Sequence, residues 1–279
     1  MTELFANVNG IKICYEVQGE GDPVVLIHGF GVSKEQWIGQ FGPLSEHFKV
    51  IRFDNRGAGK SDRPNEPYTM ELFAEDIKGL LNFLGIKKSY IIGWSTGGMM
   101  AQHFAIKFPN SVKKLILINT IDAWPANKSG LELYKNGQIA RYESRLKDPE
   151  KTFFEAAKMG FSRGFIKLMK EDPKKKFYEL FSAEDLIKET TINPSTPQDI
   201  ANQANALGSH NVTEKLHLIK AETLVICADK DRQMPKAVNL KLHEGIPNSK
   251  FVVIEGASHE SPQEKASEVN KIIIEFLKK

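Results

Sequence analysis

A short segment near the middle of the chain, Gly93–Gly97, has the composition of a turn that presents a reactive serine. It reads Gly-Trp-Ser-Thr-Gly, an apolar and β-rich run precedes it at Ser89–Ile92, and a run with helical spacing follows it. A G-x-S-x-G turn between a strand and a helix is so sharp that small residues must flank the serine, whose hydroxyl then projects from the end of the sheet. The pattern predicts Ser95 as a nucleophile.

A serine hydroxyl becomes nucleophilic when a base takes its proton and a carboxylate orients that base. Two later segments place such groups directly after predicted strands: Asp231 follows Glu222–Ala228, and His259 follows Lys250–Glu255. Open parallel sheets form their sites at the carboxyl ends of strands. The order and positions therefore predict that Ser95, Asp231 and His259 form a catalytic triad.

Four further motifs resemble those of the α/β-hydrolase family. His28–Gly31 is similar to the family's HG oxyanion loop, and Asp54–Asp62 to its D-x-R-G-x-G-x-S turn. Ala228–Asp231 resembles the G-x-x-D segment of the acid, with alanine in place of glycine, and Gly256–His259 matches the terminal G-x-x-H. The resemblance covers nearly the whole chain. It implies an α/β-hydrolase fold, a mostly parallel sheet flanked by helices with an inserted helical cap.

The resemblance also implies how the reaction would run. Ser95 would attack an acyl carbonyl, His259 would carry the proton to the leaving group, and Asp231 would stabilise the imidazolium. The oxyanion would be held by the backbone N–H groups of Phe30 and Thr96. Thr96 stands where the family often has methionine or glutamine, and this difference leaves the backbone donor intact.

Other acidic residues and histidines compete with these assignments. Asp122, after the strand that ends at Asn119, is a second candidate for the acid, and Asp229 is a near neighbour of the favoured Asp231. His28 and His103 are expected to be packed or hydrogen-bonded rather than catalytic.

The chain is expected to form a core and a cap. Residues 1–121 and 214–279 would form the α/β-hydrolase core, which begins with a hairpin around Asn9-Gly10 and continues as alternating strands and helices. In residues 122–213 the strand pattern disappears, and prolines interrupt a helical segment that resembles the family's cap.

The cap and its neighbours supply candidates for substrate binding. Phe30, Trp94 and Trp124 are predicted to line an apolar pocket. The cap contains further aromatic residues that would serve either this pocket or the cap's own core: Phe153, Phe154, Phe161, Phe165, Phe177, Tyr178 and Phe181. Residues 122–213 contain 14 Lys and Arg against 13 Asp and Glu, a balance that predicts no strong field for an anionic substrate.

Composition limits the remaining function classes. The net charge of +3 gives no footprint for nucleic acid, and the two cysteines, Cys14 and Cys227, lie in apolar runs typical of buried thiols. No leader or membrane span is recognised, so a cytoplasmic protein is expected that binds neither nucleic acid nor membrane and needs no cofactor or metal. A homodimer is compatible with the sequence.

Three functions stay open from sequence alone. The leading one is hydrolysis of small carboxylic esters or lactones, because the segments around Ser95 look most like the 3-oxoadipate enol-lactonase and carboxylesterase branch. The second is C–C bond hydrolysis or cofactor-free haloperoxidase-type perhydrolysis on the same scaffold. The third is a ligand receptor that turns over slowly.

Overall fold

The computed structural model describes residues 2–125 and 127–279. Its centre is an eight-stranded sheet with the order β1-β2-β4-β3-β5-β6-β7-β8, in which β1, β2 and β4 pair antiparallel and all other neighbours pair parallel. The strands are β1 Leu4–Val8, β2 Ile11–Gln18, β3 Pro23–Ile27, β4 Lys49–Phe53, β5 Ser89–Trp94, β6 Val112–Ile118, β7 Glu222–Ala228 and β8 Ser249–Ile254.

Helices connect the parallel strands and cover both faces of the sheet. They are α1 Phe41–Ser45, α2 Met70–Phe83, α3 Thr96–Lys107, α4 Lys128–Lys147, α5 Pro149–Gly160, α6 Arg163–Glu171, α7 Ala183–Thr191, α8 Pro197–Ser209, α9 Lys236–Gly245, α10 Ser261–Glu264 and α11 Ala266–Lys278. None of those in the described residues combines the length and apolar character needed to cross a bilayer.

The first two strands form the predicted hairpin. Asn9 and Gly10 both have positive φ, 48° and 80°, as a two-residue type I′ turn requires. The alternation of side chains along each strand then separates two apolar cores. In β3, Val25 and Ile27 face the core formed with α2 and α3, while Val24 and Leu26 face the core formed with α1 and α11.

Helices α4–α8 form an insertion between β6 and β7. A bridge between Ala123 and Asn211 brings its two ends together. The insertion has an apolar cluster of its own, whose largest members come from the predicted aromatic set: Phe154, Phe161, Phe165, Phe177 and Phe181. These rings stabilise the insertion itself, and its assignment as a cap domain stays a prediction.

The two cysteines, Cys14 and Cys227, are free and buried. Burial raises the pKa of the Cys14 thiol to about 12 and that of Cys227 to about 11, so both are protonated and unreactive at neutral pH.

Candidate active site

Ser95 occupies the sharp turn between β5 and α3 that the sequence predicts. Its backbone has φ 57° and ψ −124°, a conformation that costs a non-glycine residue free energy. Gly97, two residues after Ser95, is required by packing, because a Cβ atom at this position would lie 2.1 Å from the carbonyl oxygen of Ile27. Two hydrogen bonds stabilise this strained backbone conformation. Ser95 N–H donates to Ile118 O at 2.9 Å, and Thr120 Oγ1 donates to Ser95 O at 2.7 Å.

The loop after β3 lies beside this turn, because a Cβ atom on Gly29 would be 3.4 Å from that of Ser95. Two glutamines hold the loop by its backbone. Gly29 N–H donates to Gln36 Oε1 at 2.8 Å, and Gly31 N–H donates to Gln203 Oε1 at 2.9 Å. Phe30 N–H, between them, has no hydrogen-bond acceptor in the described part of the chain.

Thr96 N–H is the second predicted oxyanion donor. It lies at the first position of α3, where an amide has no partner within the helix, and it has no acceptor elsewhere in residues 2–125 and 127–279. The two amides that the sequence selects are therefore uncommitted, while those on either side of Phe30 are occupied. A helix N-terminus also favours negative charge nearby.

His259 and Asp231 are brought together as predicted. His259 Nδ1 lies 2.7 Å from Asp231 Oδ2, and the other oxygen of this carboxylate accepts from the amides of Gln233 and Met234 at 2.8 and 2.9 Å. The carboxylate leaves Nδ1–H as the donor and Nε2 as the ring nitrogen able to accept a proton. His259 Nε2 and the Ser95 hydroxyl are not within hydrogen-bond distance of each other among the described residues; such bonds are often long before substrate binds.

Two forces of opposite sign act on the His259 imidazole. Burial lowers its pKa, but the charge and hydrogen bond of Asp231 outweigh burial, and the pKa is raised above 6.5. The backbone of this loop is fixed as well, because His259 O accepts from Asn119 Nδ2 at 2.7 Å and from Trp94 Nε1 at 3.2 Å.

The two other candidates for the acid, Asp122 and Asp229, bind other partners. Asp122 binds Thr213 and, at 2.9 Å, Lys241. Asp229 accepts from Gly256 N–H at 2.7 Å and pairs with Lys230 at 2.8 Å. Of the three carboxylates considered, Asp231 is the one hydrogen-bonded to His259.

The other histidines take the structural places expected of them. His28 is fully buried, and its Nε2 accepts from Asn55 N–H at 3.0 Å, so its Nδ1–H donates to Gly29 O at 2.9 Å. This neutral ring supports the Gly29–Gly31 loop, consistent with a pKa lowered by burial. His103 Nε2 lies 3.2 Å from His210 Nδ1, at the base of the insertion.

Two of the three residues predicted to bind substrate lie together. The Phe30 ring packs edge-to-face on Tyr134 of α4 at 5.3 Å between ring centres, and Tyr134 packs in the same way on Trp124 at 5.3 Å. Trp94 is placed differently. Its side chain is fully buried against Trp37, on the face of the sheet away from Phe30, so it offers no surface to a ligand.

Sequence reasoning missed four residues at this site: Gln36, Tyr134, Gln203 and Glu260. The Glu260 amide donates to Gly160 O at the end of α5 at 2.8 Å. Burial raises the pKa of Glu260 to about 7, and the His259 charge and Gln36 oppose that rise. The one signal in the sequence was the place of Glu260, directly after the predicted catalytic histidine.

Ser95 on its strained turn, the His259–Asp231 pair and two free amides all follow the carboxyl ends of strands. This combination identifies the class of protein. A family model for the alpha/beta hydrolase fold matches residues 22–266, and the chain belongs to that family.

Relatives within the family catalyse different reactions. The chain is 29% identical to proline iminopeptidase PfmaB of Pestalotiopsis fici, over 99% of both chains. It is also 29% identical to 2-hydroxy-6-oxo-6-phenylhexa-2,4-dienoate hydrolase of Comamonas testosteroni, over 98% of this chain and 93% of the relative.

Solved structures confirm the fold. A thermophilic esterase of Thermogutta terrifontis superimposes with a TM-score of 0.81, at 26% identity over 100% of this chain and 98% of the esterase. The enol-lactonase of Burkholderia xenovorans LB400 gives a TM-score of 0.80, at 24% identity over 99% of this chain and all of the lactonase.

Proposed function

We propose that the protein is a serine hydrolase that cleaves small carboxylic esters or lactones through an acyl-enzyme. The observation that carries the proposal is the arrangement around Ser95. The hydroxyl is held on a strained turn, and the amides of Phe30 and Thr96 are both uncommitted. Such donors stabilise the oxyanion of a tetrahedral intermediate, and removing one of them costs about 10²–10³-fold in kcat in a well-studied protease.

In the proposed reaction, His259 Nε2 takes the proton of Ser95 Oγ as this oxygen attacks the acyl carbon. The carbonyl oxygen becomes an oxyanion between the amides of Phe30 and Thr96. The intermediate collapses, the C–O bond to the leaving alcohol breaks, and His259 returns the proton to that alcohol. A water molecule then repeats the sequence on the acyl-enzyme and releases the acid.

Hydrolysis of a C–C bond is the second candidate. The Comamonas testosteroni relative, matched over nearly its whole length, is named for a dienoate substrate of that class. The same serine, histidine and oxyanion donors would serve, so the residues that bind the rest of the substrate would decide between the two reactions.

The first experiment is a substrate panel with purified protein: short 4-nitrophenyl esters, lactones, a dienoate ring-cleavage product and a proline arylamide. We expect turnover of the esters or lactones to exceed the other two. Faster turnover of the dienoate would favour the second candidate, and loss of all turnover would favour a receptor.

Labelling tests the nucleophile directly. A fluorophosphonate should label the wild-type chain and Ser129→Ala, whose serine is exposed on α4, but not Ser95→Ala. Ser95→Ala should also lower ester turnover by several orders of magnitude. Labelling that persists in Ser95→Ala would refute the assignment. The cytoplasm stays our predicted location, to be tested by fractionation of the source cells.

A further inference from the structure

Two histidines meet at the base of the insertion. His103 lies on α3, the helix that begins beside the candidate nucleophile, and His210 follows the last residue of α8. His103 Nε2 lies 3.2 Å from His210 Nδ1. His210 is 2% exposed and the His103 side chain 10%, so both rings are largely shielded from water. The reaction proposed above uses neither of them.

Each ring also contacts a second group, and both of these groups are acceptors. His210 Nε2 lies 3.0 Å from the carbonyl oxygen of Ile121, and His103 Nδ1 lies 3.2 Å from Glu71 Oε1 on α2. Because a carbonyl oxygen can only accept, His210 Nε2 carries a hydrogen. The other nitrogen of the neutral His210 ring then accepts, and His103 Nε2 donates to it. The two rings thus form a chain of contacts from Ile121 to Glu71.

The geometry limits the number of protons in this chain. Two neutral imidazoles carry two ring protons, and a third completes the contact between His103 and Glu71. A fourth proton does not fit, because N–H groups on His103 Nε2 and His210 Nδ1 would then face each other across 3.2 Å. The closed pair therefore holds at most one positive charge. Two separated rings in water each take a proton at acid pH.

The surroundings of the pair also disfavour positive charge. Burial is the largest influence on both rings, and it lowers the pKa of His103 below 6.5 and that of His210 to about 4. Glu71 opposes this effect but is 56% exposed, and Asp122, which opposes it at His210, is already paired with a lysine. Lys215 faces His103 and lowers its pKa further. Both rings are therefore neutral at neutral pH.

The pair lies where the two ends of the insertion meet. Trp124 N–H donates to His210 O at 2.9 Å, and Val212 N–H donates to Asp122 O at 2.8 Å. The Trp124 ring in turn packs on Tyr134 of α4. Separation of His210 from α3 would thus free the base of the insertion beside Trp124, a predicted substrate-binding residue.

We propose that His103 and His210 form an acid-sensitive clasp, which holds the base of the insertion against α3 while both rings are neutral and releases it when they are protonated. The clasp is independent of the reaction that the protein catalyses. Because the separated rings bind more protons than the closed pair, a falling pH favours opening. The stabilisation that the clasp provides is complete above about pH 6.5 and decreases as the pH drops below that value.

Hydrogen exchange at the amides of Trp124 and Val212 measures the opening, after correction for the intrinsic pH dependence of exchange. If opening takes up one proton, its equilibrium constant should rise about 10-fold between about pH 7 and about pH 5.5. The amides of β5 should not show this rise. An equal rise in β5 would show that acid destabilises the whole fold, and no rise at Trp124 and Val212 would likewise overturn the proposal.

A glutamine variant tests whether the pair is the group that senses pH. His103→Gln should remove most of the rise, because the glutamine amide stays uncharged and can either donate to His210 Nδ1 or accept from it. His217→Gln is the matched control: it removes an exposed histidine from residues 213–218 and should keep the wild-type rise. A full rise in His103→Gln would refute the clasp.

A titration of the wild-type chain gives a readout that needs no variant to fold. The ring protons of His103 and His210, followed by nuclear magnetic resonance, should titrate below pH 6.5. Titration of both rings at or above that value in the folded protein would show that the closed pair accepts two charges, and the proposal would then be wrong.

Discussion

Two parts of the molecule border the candidate site: the loops at the carboxyl ends of the parallel strands, called here the sheet edge, and helix α4. They are built differently. At the sheet edge every reacting group is fixed by backbone hydrogen bonds: those of the Ser95 turn, those of the Gly29–Gly31 loop and those that hold His259. Helix α4 has no fully buried residue, and two of its leucines, Leu133 and Leu146, are 76% and 65% exposed.

Polar contacts join the insertion to the core at several places. Tyr178 Oη donates to Glu264 O at 2.6 Å, Arg63 pairs with Asp199, and Gln203 reaches both the oxyanion loop and Gly57 O. We propose that substitutions on α4 away from Tyr134, which packs on Phe30, can alter what binds while the groups around Ser95 keep their geometry.

The largest expected effect lies on the core side. Asp231→Asn should fold, because the amide is isosteric, but it should lower kcat by on the order of 10⁴-fold, as in the best-studied triad. Asp122→Asn and Asp229→Asn are matched controls, since their carboxylates bind other partners. Steady-state kinetics on a short 4-nitrophenyl ester measures the difference. An active Asp231→Asn beside an inactive Asp122→Asn would reverse the assignment.

The pH profile of the same variant sharpens the assignment. His259 must be neutral to take a proton, and Asp231 raises its pKa, so kcat/KM should fall as the pH drops through a value above 6.5. In Asp231→Asn the burial of His259, which favours the neutral ring, is opposed by the weaker influence of Glu260, so the acid limb should move to lower pH. If the acid limb of the pH profile does not move in Asp231→Asn, a group other than His259 causes it.

Hydrogen exchange compares the two sides directly. Amides of α4 should exchange on the order of 10³-fold faster than those of β5, because a helix without buried residues opens locally whereas the central strand opens only with global unfolding. A non-hydrolysable ester analogue should slow exchange in α4. Equal protection of both elements would mean that the insertion is rigid and does not act as a mobile lid.

Sequence alone predicted the sheet edge well because its elements are continuous apolar runs bounded by turns. The limits of β7 agree to the residue with the predicted strand. The strand predicted to end at Asn119 is β6, which ends at Ile118 and begins with Val112, Lys113 and Lys114; the two lysines pair at the surface with Asp22 and Glu222.

The other side of the site was less predictable because its residues act across long distances in sequence. Gln36 and Gln203 bind the amides of Gly29 and Gly31 but are 167 residues apart, and neither belongs to a motif. Trp94 was predicted to line an apolar pocket together with Phe30 and Trp124. The alternation of side chains in β5 instead directs it into the core, and a motif does not reveal which face is covered.

Gln203 tests whether the insertion also positions the reacting groups. Its side chain accepts from Gly31 N–H at 2.9 Å and donates to Gly57 O at 3.0 Å, so Gln203→Leu leaves both without a partner. A small displacement of the loop should lower kcat by roughly 10–100-fold with little change in KM. Gln198→Leu, exposed on the same helix, is the control. An unchanged kcat in Gln203→Leu would show that residues of the core alone position the reacting groups.

The smallest expected effect is the dependence on acyl length. Phe30, Tyr134 and Trp124 pack on one another, and we expect these rings to border the acyl pocket and to fix its volume. Activity on 4-nitrophenyl esters should be highest for acyl chains of roughly two to six carbons and decline beyond them, since a methylene that a pocket cannot hold costs on the order of tenfold. Tyr134→Ala should move the optimum to longer chains without lowering kcat on the shortest ester, because the ring borders the pocket and does not react. Rates that rise toward long chains, with activation at a lipid interface, would identify a lipase whose insertion opens on a membrane surface.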